Sequence, residues 1–114
     1  MTMDLVVVQP REGATVVGVQ VPRLDAAQAL AFKNRLLEVL EDGAATRLVL
    51  DFAGVKMIDS SGLGALVSVL KSLNGRGSIA IANANATVQG VFRLTRLDRV
   101  FAMHGSVDAA VSAG

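Results

Sequence analysis

The chain contains no cysteine, and that single absence removes disulfides, thiolate metal sites and thiol catalysis together. It has one histidine, His104, so a zinc ion held by several imidazoles is excluded as well. An excess of one charge is also missing. Eleven Lys and Arg against ten Asp and Glu leave a net charge of +1, too little to draw the chain to nucleic acid or a membrane surface. Charge or glycine breaks every apolar run well before the roughly 18–20 residues of a membrane span. The opening "MTMDLVVV" puts Asp4 where a signal peptide needs a basic cluster, and its apolar run is short. Internal repeats, low-complexity tracts and linkers are absent. The expectation is a cytoplasmic protein without a membrane span.

What is present describes a globular chain: 52% hydrophobic and 18% charged residues over 114 positions. That length predicts one domain over residues 1–114, able to bury roughly two-thirds of its surface without staples. "DLVVVQP" (residues 4–10) and "TVVGVQVP" (residues 15–22) read as strands, joined as a hairpin through Gly13. A helix follows, with Asp25 as its N-cap and Gly43 at its end. Leu30, Lys33, Leu37 and Leu40 fall on one side of it, with Phe32, Leu36 and Val39 beside them.

"TRLVLDF" (residues 46–52) is nearly continuous in apolar residues, as expected of a strand covered on both faces. The next helix carries a stripe of Leu63, Leu66, Val67, Leu70 and Leu73. "SIAIAN" reads as a strand and "ATVQGVFRLTRLDRV" as a helix, with Arg93 and Arg96 on one face and Arg99 a turn further. A short extended piece and a terminal helix opened by Ser106 close the chain. The order predicts an α/β fold: a small mixed sheet, antiparallel in its opening hairpin and parallel thereafter, packed with about four helices.

Most site chemistry fails on spacing. No G-x-x-x-x-G-K-[ST] loop occurs, and "GLG" at residues 62–64 lacks the third glycine of a dinucleotide turn. Ser60 or Ser61 would suit a hydrolase nucleophile, but the G-x-S-x-G elbow is missing and His104 has no obvious orienting acid. The arginine series is too sparse, and too short of aromatics, for nucleic acid. No metal-ligand spacing or cofactor motif is present. An enzyme is not expected.

The junction "IDSSGLG" is the remaining feature. A helix start leaves unpaired N–H groups and carries the positive end of the macrodipole. Asp59 or Ser60 can cap it, leaving Ser61 within the first turn to face solvent. Gly62 and Gly64 each cost up to about 1 kcal/mol against Ala in a helix. Bare backbone is wanted there, either for packing on the sheet or for close approach of another molecule.

The stretch "LVLDFAGVKMIDSSGLGALVSVLKSL" resembles the signature of the STAS domain family, specifically the bacterial anti-sigma factor antagonists. "VPRLDAAQALAFKNRL" and the segment from "GSIAIAN" to "VDAAV" resemble the family's first helix start and its later elements, so the likeness spans nearly the whole chain. The resemblance implies a protein-binding switch. An unmodified antagonist binds a serine-kinase anti-sigma factor, is phosphorylated on the second serine, and lets go; a PP2C-type phosphatase resets it. Ser61 matches the phosphoacceptor, Asp59 and Ser60 its flanking positions, Gly62, Leu63 and Gly64 the partner-facing turn, and Asp25 the acid that starts the first helix. Two positions depart from the pattern: Pro22 stands where Gly is usual, and Met57 replaces an aromatic. An alternative within the family is a scaffold or accessory subunit of a stress-signalling or lipid-transport assembly. The absence of a sensor domain favours the free regulator.

Overall fold

The computed structural model describes residues 4–42 and 47–113. Strands β1 (Val6–Arg11) and β2 (Ala14–Val19) form the expected antiparallel hairpin, with Arg11 opposite Ala14 and Gly13 turning at φ +82°. The sheet continues through β4 (Arg47–Asp51), β6 (Ser78–Ala82) and β7 (Ala102–His104), in the order β1-β2-β4-β6-β7, each junction after the hairpin being parallel. Two further strands, β3 (Arg23–Leu24) and β5 (Met57–Ile58), pair with each other as a separate parallel ribbon. Sequence periodicity gives no sign of them, because two residues cannot display alternation.

Helices α1 (Ala26–Asp42), α2 (Ser60–Ser72) and α3 (Ala86–Leu94) follow β3, β5 and β6 respectively. Central strand β4 is buried on both faces, as its composition predicts. Leu48 and Leu50 join the main core with Phe32, Leu66 and Phe92, while Val49 belongs to a second cluster with Ala80, Ala82 and Ala110. The second cluster lies under the short helix α4 (Val107–Ser112), which Ser106 caps by accepting from the Ala109 N–H at 3.0 Å. Phe92 meets Phe101 edge-to-face, with ring centroids 5.9 Å apart.

Three expectations need correction. Leu30, assigned to the apolar side of α1, is 67% exposed; Phe32, Leu36 and Val39 form the buried face instead. Helix α3 ends at Leu94, because Thr95 bonds back to the Val91 and Phe92 carbonyls and Arg96 turns left-handed at φ +60°. Arg99 then lies on a separate 3₁₀ turn, so the three arginines do not share one helix. The second strand stops at Val19 rather than Pro22. The helix end at Gly43 and the strand start at Thr46 lie outside the described residues.

Arg47 anchors α4 to the sheet, donating from Nη1 to the Val111 carbonyl at 3.1 Å and from Nη2 to the Ala110 carbonyl. These bonds satisfy carbonyls that the end of a helix leaves open. Arg47→Met keeps the apolar stem and removes both donors. Urea denaturation of this variant is expected to show a loss of about 2 kcal/mol. An unchanged midpoint would mean that packing of Ala110 alone holds α4.

Candidate functional site

The β3–β5 ribbon brings two helix starts together. Arg23 pairs with Met57 and Leu24 with Ile58, so Asp25 and Asp59 leave the ribbon side by side, each at the head of a helix. Asp25 Oδ1 accepts from the Ala27 N–H at 3.1 Å. Asp59, in extended conformation, accepts through Oδ1 from the N–H groups of Ser61 at 2.9 Å and Gly62 at 3.1 Å. The cap of α2 is therefore Asp59 and not Ser60, which is the first helical residue and is exposed.

Ser61 was expected to face solvent, yet it is half-buried, less open than its neighbour. Neither serine hydroxyl bonds to any described group of the protein. The first-turn amides of Ser61 and Gly62 are committed to Asp59, so an incoming anion meets the helix dipole and not a pair of vacant donors.

A STAS domain family model matches residues 6–110. The chain belongs to the STAS domain family. A candidate anti-sigma factor antagonist of Thermotoga maritima is 29% identical to it over 89 residues, 77% of this chain and 79% of that protein. An anti-sigma factor antagonist from Mycobacterium paratuberculosis has a crystal structure similar at TM-score 0.83 and 25% identity, over 95% of this chain and 91% of that one. The antagonist SpoIIAA shares the fold at 20% identity unphosphorylated and 19% phosphorylated, with TM-scores of 0.78 and 0.69. Each SpoIIAA match covers 95% of this chain, against 94% and 97% of those chains.

In this STAS domain the two glycines after the serines have opposite surroundings. A Cβ on Gly62 would lie 2.3 Å from the Leu24 carbonyl oxygen and 2.8 Å from Ile58 Cγ1; one on Gly64 would meet nothing within 4 Å. Gly62 serves packing, and Gly64 opens onto solvent. Leu63 is 5% exposed and sits in the core. Of the turn expected to face a partner, Gly62 and Leu63 thus point inward, and only Gly64 lies on the surface.

Pro22 loses nothing by lacking an N–H, because its carbonyl does the pairing, accepting from Lys56 at 2.7 Å and Met57 at 3.2 Å. Met57 is half-buried on β5, on the same side of the ribbon as Asp59. Arg23 approaches Asp25 only at 3.9 Å.

His104 pairs in register with Ala82, whose side chain lies in the cluster under α4, whereas α2 packs against the main core on the other face. His104 thus faces the side of the sheet opposite the one that α2 covers. Among the described residues no group of acids and histidines could hold a metal, and no helix is long and apolar enough to cross a membrane.

One supporting residue escaped the sequence reading. Asn85 caps α3 by accepting from the Val88 N–H at 2.8 Å, and its amide donates to the Val55 and Lys56 carbonyls at 3.3 and 3.2 Å. It fixes the loop that leads into β5. An Asn just ahead of an apolar helical run was the available signal.

The glycine contrast predicts opposite stability changes. Gly62→Ala is expected to lower unfolding free energy by about 1–3 kcal/mol or more through overpacking. Gly64→Ala is expected to raise it by up to about 1 kcal/mol. Thermal and urea denaturation of the two variants read both signs; a shared sign would contradict the assigned environments.

Proposed function

We propose that the chain is an anti-sigma factor antagonist that works by partner switching. Unmodified, it binds a serine-kinase anti-sigma factor in the cytoplasm and so frees a sigma factor. The kinase transfers phosphate to Ser61, the complex separates, and a PP2C-type phosphatase restores the binding form. The observation that carries this reading is the Ser61 hydroxyl, unbonded within the first turn of a helix already capped by a different residue. Membership of the STAS family and likeness to named antagonists support it.

The electrostatics favour a switch. Phosphorylation adds about −1.5 to −2 charges. At Ser61 that charge joins the Asp59 carboxylate two residues away, with Asp25 heading the neighbouring helix. The helix dipole tolerates the phosphate in the unbound protein. A dry or acidic partner surface pressed against the same place does not. A binding loss of roughly 3 kcal/mol corresponds to about a hundredfold weaker complex, and no change of fold is needed.

The test is incubation with the serine-kinase anti-sigma factors of the source genome and ATP, followed by intact mass and mapping of the modified residue. One phosphate on Ser61 is expected, lost in Ser61→Ala and retained in Ser60→Ala. Modification of the more exposed Ser60 alone would overturn the assignment. So would an unmodified Ser61 together with unchanged partner binding by Ser61→Asp.

A further inference from the structure

We infer that Leu30 is the apolar anchor by which the serine-kinase anti-sigma factor grips this chain, across the groove that holds Ser61. The inference rests on the partner-switching reading and adds a contact residue on a second helix.

Helices α1 and α2 start level with each other, because the strands that feed them pair in register. They pack side by side. One flank of α1 carries Arg35, bonded to Asp4 next to edge strand β1 at 3.1 and 3.0 Å. The opposite flank carries half-buried Lys33, Leu37 and Leu40 and is therefore turned toward α2. At 3.6 residues per turn, Leu30 stands on the outer rim of that second flank, one turn before Lys33 and two before Leu37. On α2, Ser61 lies one turn before buried Ala65, on the flank closed by α1. Leu30 and Ser61 thus face one groove from opposite walls, which also explains why Ser61 is half-buried.

Leu30 is 67% exposed, so most of its side chain is not buried in the folded monomer. Gly64, the fifth residue of α2, stands level with Leu30, the fifth residue of α1. It contributes no side chain, and nothing lies within 4 Å of its would-be Cβ. On the side of Leu30 toward the helix starts the outward residues are small, Ala26, Ala27, Ser60 and Gly64, while Lys33 and Asn34 lie one turn further along α1. A partner surface can approach the backbone there and close around a single projecting leucine.

Size and closeness to Ser61 point to the same occupant. A stable interface buries about 800 Å² per partner, about an eighth of this chain's 6356 Å². Adjacent helix axes lie about 8–10 Å apart, so a footprint centred on Ser61 must reach Leu30. Any protein that delivers phosphate to the half-buried Ser61 hydroxyl covers the opposite wall as well. The matching partner surface has an apolar pocket for Leu30 and, over Ser61, the dry surface that a phosphate would disrupt.

The test measures affinity for the kinase anti-sigma factor and the KM and kcat of Ser61 phosphorylation, in wild type, Leu30→Ala, Leu30→Ser and Leu94→Ser. Leu94 is 87% exposed at the far end of α3 and controls for loss of surface leucine in general. Both Leu30 variants are expected to bind about ten- to a hundredfold more weakly. Their KM should rise with kcat little changed, and their thermal unfolding should match wild type; Leu94→Ser should behave as wild type throughout. If wild type binds and both Leu30 variants bind equally well, the anchor is disproved and the switch at Ser61 stands. If wild type neither binds nor accepts phosphate, the functional reading fails and takes the anchor with it.

Discussion

The start of helix α2 presses against the carbonyl of Leu24 so closely that only glycine fits at position 62. The rest of the candidate site depends on this contact. It locks α2 onto the β3–β5 ribbon, where the Asp59 N–H donates to the same Leu24 carbonyl at 3.2 Å and Pro22 receives two more amides. The ribbon in turn fixes Asp25 next to Asp59 and sets α1 and α2 level. A side chain at Gly62 would push the start of α2, which carries Ser61, away from the ribbon. The seating of the serine turn on the ribbon thus depends on one missing Cβ.

The division of labour within the first turn of α2 follows from hydrogen-bond supply. Asp59 takes the amides of Ser61 and Gly62 through one oxygen, so the serines are not needed as caps. Ser60 is exposed and Ser61 half-buried, and neither hydroxyl bonds to a described group. Because the cap is a carboxylate, a phosphate arriving on Ser61 adds charge to a site that is already anionic. The local dipole offsets part of that cost, and nothing else within the turn does.

Much of the architecture was legible in the sequence where a residue type has one dominant reason to be present. Asp25 and Ser106 ahead of apolar periodic runs marked helix starts, and the uninterrupted Leu48-Val49-Leu50 marked a strand buried on both faces. Legibility failed where the reason lies in a distant contact. Gly62 and Gly64 are the same residue two places apart, and only the position of Leu24 separates the packed one from the open one. Leu30 continues the hydrophobic period of α1, but spacing cannot tell a core position from a rim beside an empty neighbour. The end of α3 was hidden for a similar reason: the Thr95 hydroxyl donates back to the Val91 and Phe92 carbonyls, and the helix stops before Arg96 and Arg99.

The central claim is that one phosphate on Ser61 changes partner affinity while leaving the fold in place. Calorimetric titration of the kinase anti-sigma factor with unmodified and with singly Ser61-phosphorylated protein, alongside amide spectra of both forms, measures it directly. The account predicts an affinity drop of about a hundredfold, with spectral changes confined to the first turn of α2 and its neighbours on the ribbon and α1. Equal affinities, or a loss of affinity accompanied by shifts throughout the sheet, would contradict it.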